Sequence, residues 1–435
     1  MASTFSVVVG CLAATYLFLP VLLHMTQDAR EPPAILTGVP FIGPIFSMTR
    51  EKFRFCVRLR DQYRLPIYTL RLPISRIYVV KATEAIPKLD IMQKDLMSED
   101  GFRVSWPKHI MPAMSPGADL DHINRKSVQI YVNEMERLQA SNGTTRVGLA
   151  EWAREMMVTS TGEAIWGPQN PLRDPKYTKT GGYKTASGLV RKRWEHHHDL
   201  FVFNEEDFGR GEIGNAFAVL GNTTATTFWV TYHIYKDDQI LADVRRELSA
   251  LVREGEEDGV KTSTIDLAVI KDGCCPILMS TFQEVLRYRA VSNSTCCSTT
   301  AVCFAKGSTL MMPGPVQHSE TSDWGEDAVQ FDYLRFIRKR EPGKKRFNRV
   351  AFRSFGGGHT LCPGRNFATT EIVSLAALLV LQFDVTPVGG KWVDPTFENS
   401  PIAAGFPHPD KDIDKVLFSG DKAMNIVAED IAAAE

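Results

Sequence analysis

Apolar residues run without a charge from Phe5 to Met25, FSVVVGCLAATYLFLPVLLHM, which matches the roughly 20 residues a helix needs to cross a bilayer. The stretch predicts a single membrane anchor. A cleaved signal peptide is the competing reading, but the run is long for an h-region, no basic segment precedes it and no clean small-x-small site follows. Basic residues gather only behind it, at Arg30, Arg50, Lys52 and Arg54, so the positive-inside bias puts the body on the cytosolic side. Residues 31–46, EPPAILTGVPFIGPIF, hold four prolines and two glycines, which disfavour element interiors and suit a stiff tether. The expected division is an anchor over 1–27, a tether over 28–48 and one large domain over 49–435.

Within that domain, REKFRFCVRLRDQYR has the spacing of one amphipathic helix, and LPIYTLRL and ISRIYVV alternate as two strands. LDHINRKSVQIYVNEMERL and GLAEWAREMMVTSTGEAIW are helical in period, with a polar ASNGTT break between them. A long helix is expected from Asn204 to Glu254 and another from Pro276 to Arg289, with strand-like pieces at Ser298–Phe304 and Thr309–Pro313. The last 50 residues are rich in Pro and Gly, and no internal repeat is visible. The pattern predicts a mainly α fold with small β-sheets.

Composition changes this picture little. The chain is 44% hydrophobic with a net charge of -1, an ordinary globular balance that points neither to disorder nor to nucleic acid. RKREPGKKR, residues 338–346, is a local basic block whose simplest reading is a solvated loop. The eight cysteines show no metal-ligand spacing, which fits a reduced setting with most of them as small buried hydrophobes.

Cys362 stands apart. It sits in FGGGHTLCPGRNFATTEIVSLAALLVLQF, with three glycines before it and Pro-Gly after it, leading into a long apolar run. Such a loop brings backbone close to a flat ligand and aims amide N–H groups at one sulfur beside a helix N-terminus, conditions that favour the thiolate. Without further context the same loop is a glycine-rich turn around a buried cysteine. Upstream, Glu284 and Arg287 lie three apart on one helix face, which alone reads as a surface ion pair.

In combination these residues resemble the cytochrome P450 family. Its cysteine loop reads Phe-x-x-Gly-x-x-x-Cys-x-Gly, matched by Phe355, Gly358, Cys362 and Gly364, with Arg365, Phe367 and Ala368 continuing the match. Its Glu-x-x-Arg motif is matched by Glu284 and Arg287. Arg335 and Phe336 stand where the family has Pro-x-Arg-Phe, with Tyr333 in place of the proline. The mid-chain GNTTATTFW is similar to the group containing sterol 7α-hydroxylases, prostacyclin synthase and fungal biosynthetic oxidases. The resemblance implies the cytochrome P450 fold, haem b with its iron held by Cys362, and a buried network of Glu284, Arg287 and Arg335 beneath it.

Three departures qualify what the resemblance implies. Where most members carry a basic residue for a haem propionate, this chain has Thr360, preceded by His359; Arg125 and Lys126 are the alternative cations, although Asp121 replaces the tryptophan that usually opens their motif. Where the central helix usually presents an acid or amide and then threonine over the oxygen site, this chain has Gly221 and Asn222, then Thr223 and Thr224. Near Asp174–Tyr177 a pair of substrate-roof helices looks largely absent, through either a reshaped pocket or a lost exon. The implied activity is a monooxygenase of the endoplasmic reticulum membrane, cytosolic in orientation, that takes electrons from NADPH through NADPH-cytochrome P450 reductase. Its implied substrate is a lipophilic terpenoid, steroid-like or polyketide molecule of secondary metabolism. A reductase-independent isomerase and a non-catalytic haem-binding remnant are the other readings.

Overall fold

The structure, a computed structural model, describes residues 2–29, 31–81, 102–140, 145–170, 186–200, 205–257, 260–297, 308–337, 348–358, 361–400, 404–413, 416–419 and 426–428. The tract 338–346, the shortened region near 174–180, the strand expected at 298–304, and His359 and Thr360 lie outside the described residues.

The uncharged N-terminal run forms α1 (Ala2–Met25). Over Ser6–Met25 it is long and apolar enough to cross a membrane, and only 6% of that window is buried against the rest of the chain. The Pro-rich segment behind it is paired with the body of the chain. Proline lacks an N–H but keeps its carbonyl, and Pro33 O accepts from Thr69 N at 2.9 Å while Ile35 N donates to Thr69 O at 3.1 Å, laying this segment on the sheet. Its end is already α2 (Gly43–Glu51), which starts with Pro44 in the first turn, where a missing N–H costs nothing. The single helix expected over residues 50–64 is therefore two: Lys52, at φ 52°, breaks it before α3 (Arg54–Tyr63).

β1 (Ile67–Arg71) and β2 (Arg76–Val80) pair antiparallel as the alternation predicts. The helical body follows as α4 (Phe102–Met114), α5 (Ala118–Ala140), a short strand β3 (Thr145–Val147), α6 (Leu149–Trp166) and α7 (Gly188–Glu195). The stretch expected as one helix from residue 204 is α8 (Glu205–Lys236) and α9 (Asp238–Ser249). Asp237 divides them, its carboxylate accepting from Gln239 N at 2.9 Å and Ile240 N at 3.2 Å as an N-cap. β4 (Arg253–Glu257) and β5 (Val260–Ile265) form a hairpin, α10 spans Pro276–Arg289 as predicted, and β6 (Asn293–Cys297) pairs with β7 (Thr309–Pro313). After the cysteine comes α11 (Arg365–Gln382), then β8 (Asp384–Pro387), β9 (Val416–Ser419) and β10 (Ile426–Ala428). The sheets are small, in orders β1-β2-β7-β6, β10-β5-β4 and β3-β9-β8.

The core lies where α5, α6, α8, α9 and α10 enclose α11, which is apolar around its whole circumference and buried along nearly its whole length. Glu371 is its one charged residue beyond the first turn. Ser127 Oγ and Thr161 Oγ1 donate to it at 3.2 and 2.8 Å, and burial pushes its carboxyl up to about 8. Of the other described free cysteines, Cys56 and Cys275 are buried, burial lifting each thiol to about 12. Cys11 and Cys274 are exposed instead, one on the outward surface of α1 and one in the turn before α10.

Candidate active site

The loop before α11 explains its three glycines individually. Gly356 and Gly358 have φ of 74° and 56°, a region that strains any residue with a Cβ. At Gly357 a Cβ would lie 2.4 Å from Arg353 Nη1, so any larger residue would have to displace the buried Arg353 guanidinium. The turn closes when Cys362 N donates to Phe355 O at 2.8 Å, and Arg365 Nη1 caps the Cys362 carbonyl at 3.1 Å. The loop thereby presents the Cys362 side chain, half-buried, three residues before the N-terminus of α11.

Backbone N–H groups of Gly364 and Arg365 act on the cysteine side chain in the direction that favours its anion, as the sequence suggested. The expectation that these donors alone favour the thiolate is corrected: burial pushes the Cys362 thiol up, and the two amides and the Arg365 charge offset this only in part. A cation bound at the sulfur reverses that balance, since a coordinating thiol is deprotonated outright.

Cys362 opens into a cavity of about 290 Å³ whose walls include Ile110 and Met114 of α4, Phe355, Gly364 and Phe367. The opposite wall is one face of α8, with Asn215, Ala218, Val219, Asn222 and Thr223. A Cβ on Gly364 would meet Met114 Cε at 3.6 Å and Cys362 Sγ at 3.8 Å, ordinary contacts. Protein atoms therefore do not demand glycine here. One anionic-capable sulfur, N–H donors behind it and an apolar slot in front fit the haem that the cysteine-loop resemblance implies.

Beneath the loop, the Glu284–Arg287 pair is not the surface interaction it resembles in isolation. Its side chains are 0% and 1% exposed, joined by Arg287 Nε to Glu284 Oε2 at 2.7 Å and Nη2 to Oε1 at 2.6 Å. Arg287 Nη1 also donates to the carbonyls of His318 and Ala328 at 2.6 and 2.7 Å, and Nη2 to that of Gln330 at 3.0 Å. Arg335 Nε reaches the same carboxylate at 3.2 Å, as does Asp332 N at 2.9 Å. Burial, the same neighbourhood, pushes His318 down to about 3, so its Nε2 is neutral and accepts from Arg353 N at 2.9 Å. This ties the network to the strand of chain that enters the cysteine loop. Tyr333, where the family has proline, donates to Asp243 Oδ2 at 2.7 Å and fastens α9 to the network.

Of the residues expected over the iron, Asn222 and Thr223 line the Cys362 cavity. Thr224 is not among its walls; it is buried in α8 with its hydroxyl donating to Leu220 O at 2.6 Å. Thr223 likewise donates to Val219 O at 2.8 Å. Asn222 is held differently: its Oδ1 accepts from Phe406 N at 3.3 Å, and a Cβ at Gly405 would lie 2.3 Å from that oxygen. Arg125 and Lys126 do not line the cavity. The period of α5 turns Leu120, Ile123, Asn124, Ser127 and Val128 inward, which leaves Arg125 exposed and Lys126 half-buried. The cation that does line it is Arg193 of α7, paired with Glu212 of α8. Sequence reading missed both, because RKRW has the look of a surface basic run; the available signal was Glu212 on the same face of α8 as Asn222.

The Cytochrome P450 family model matches residues 203–413. Cytochrome P450 monooxygenase nodJ of Hypoxylon pulicicidum is 30% identical over 458 residues, covering 88% of this chain and 88% of its own. Prostacyclin synthase of Bos taurus is 21% identical across 94% of this chain and 98% of its own. The 25-hydroxycholesterol 7-alpha-hydroxylase of Rattus norvegicus is 23% identical across 54% and 59%. The nodJ alignment is 458 residues long yet draws on 88% of a chain of 435, so the relative has stretches this chain lacks.

Proposed function

This chain belongs to the cytochrome P450 family of monooxygenases, and on that premise we propose that it is a membrane-anchored enzyme of secondary metabolism. It inserts one oxygen atom of O2 into a lipophilic terpenoid, steroid-like or polyketide substrate, with electrons from NADPH through a reductase. The observation that carries the reading is the Cys362 side chain, donor-supported from behind, facing Asn222 and Thr223 across one largely apolar cavity. When bound there, the haem supplies an iron whose thiolate ligand pushes electron density toward O–O cleavage.

The chain's own groups do the rest. Cys362 holds the iron; Glu284, Arg287 and Arg335 fix the segment that carries the loop. Phe367, Met114 and Val219 give the cavity apolar walls beside the exposed Asn222. Asn222 orients a proton donor: with Oδ1 committed to Phe406 N, its Nδ2 hydrogens are the free end, making only a long 3.4 Å contact to Ala218 O. Reconstitution with reductase, NADPH and isotopically labelled O2 tests the reading: one labelled atom in product is expected, and product formed equally well without NADPH overturns it in favour of an isomerase.

Asn222→Ala is expected to keep the thiolate spectrum while product formed per NADPH falls and peroxide release rises. Loss of one positioned proton-transfer group costs about 10²-fold in rate, less where a water substitutes. Unchanged coupling assigns the role to Thr223 or to packing.

Membrane attachment is proposed from α1, and a cytosolic body from the basic residues that follow it, through the positive-inside bias. Deleting residues 1–27 is expected to move most of the protein to the soluble fraction. A shortened chain that stayed wholly membrane-bound would show that a second surface, such as the exposed Leu36, Ile42, Ile45 and Phe46, is the main attachment.

A further inference from the structure

Among the described residues, Arg193 is the one side chain of full charge in the wall of the Cys362 cavity. Its side chain is 3% exposed and is bound to Glu212 twice, Nε to Oε1 at 2.8 Å and Nη2 to Oε2 at 2.6 Å. Glu212 is held in turn by Trp166 Nε1 at 3.0 Å and Asn215 Nδ2 at 3.1 Å. Four donors satisfy that carboxylate, so it serves as a rigid base for the guanidinium. Such a pair adds little to stability, since replacing a buried ion pair with apolar groups of the same volume is often neutral or favourable. Its presence in the wall of a cavity for apolar molecules calls for another reason.

The guanidinium has five N–H donors in a planar fork, and the pair with Glu212 uses the edge formed by Nε and Nη2. Both hydrogens of Nη1 and the second of Nη2 form the other edge. Glu212 cancels the charge, so an incoming anion gains no net attraction while losing its hydration. A neutral acceptor oxygen loses far less and gains the same fork. Glu212, Asn215, Val219 and Asn222 fall on one face of α8, and ten residues separate Glu212 from Asn222, roughly 15 Å of helix.

We propose that Arg193, oriented by Glu212, determines specificity by donating to an uncharged acceptor oxygen, a carbonyl or hydroxyl, at the end of a lipophilic substrate remote from the carbon that is oxidised. The last clause rests on the monooxygenase reading; the recognition itself does not. The test is a Soret titration of the full-length haem-loaded protein in detergent with 2-dodecanone, 1-chlorododecane and dodecanoate, probes of one chain length. The wild type is expected to bind the ketone roughly 10-fold tighter than the chloroalkane, the worth of one well-made hydrogen bond, and Arg193→Met to bind the two alike. A preference that survives in Arg193→Met, or dodecanoate as the tightest wild-type ligand, overturns the proposal. Glu212→Gln supplies an independent check should Arg193→Met not load haem: it frees the positive charge and is expected to turn the preference toward dodecanoate, and an unshifted preference is equally fatal. Because the titration reads binding alone, a lack of NADPH-driven product would sink the monooxygenase reading without touching this one.

Discussion

Arg287→Ala is expected to leave almost no folded, haem-loaded protein. The substitution strips Glu284 of its bidentate partner in a site where neither side chain meets solvent, and leaves the carbonyls of His318, Ala328 and Gln330 short of the donors they share. Breaking a buried pair by removing one partner costs about 3–5 kcal/mol, a large share of the 5–15 kcal/mol that holds a typical domain together. The effect is local in origin but falls on the cysteine loop, since His318 and Arg353 connect the network to it. Haem content per folded protein and the thermal midpoint read the outcome. Arg54→Ala is the control: it breaks the exposed bridge to Glu398, whose partners are 60% and 56% exposed, and such pairs contribute about 0–1 kcal/mol. Equal behaviour of the two variants would show that the Glu284 network is dispensable.

What the sequence made legible follows from how local each signal is. α10 begins and ends where its pattern says, because Pro276 suits a first turn and the apolar period runs unbroken to Arg289. The breaks at Lys52 and Asp237 were not read: one is a left-handed backbone turn at a residue that carries no mark of it, and the other is a cap inside a continuous helical period. The Glu284–Arg287 spacing was visible, yet its depth was not, because most of Arg287's partners are backbone carbonyls contributed by residues 318–330, which have no side-chain signature. Arg125 and Lys126 were picked out by resemblance as cations for the cofactor; the helical period of α5 leaves Arg125 exposed and Lys126 half-buried, and neither is in the wall of the Cys362 cavity. Asn222 was picked out by resemblance, and its geometry was not foreseeable: the group that fixes it, Phe406 N, comes from a Pro- and Gly-rich segment 184 residues later in the chain.

The central claim is that Cys362 ligates haem iron as a thiolate. Every local feature bears on that one atom: the φ of Gly356 and Gly358, the space at Gly357, the turn closed on Phe355 O, and the N–H groups of Gly364 and Arg365 behind the sulfur. Burial alone holds the thiol up, so the anion depends on the iron, and removing the sulfur removes the one ligand the loop is built to present. Cys362→Ser keeps the loop's size and hydrogen bonds while replacing the soft ligand with a hydroxyl that resists deprotonation. Reduced wild-type protein with carbon monoxide is expected to show the red-shifted Soret band of thiolate ligation, and Cys362→Ser to lose it entirely. A band that persists in the serine variant, or a wild-type spectrum of histidine ligation, would contradict the account.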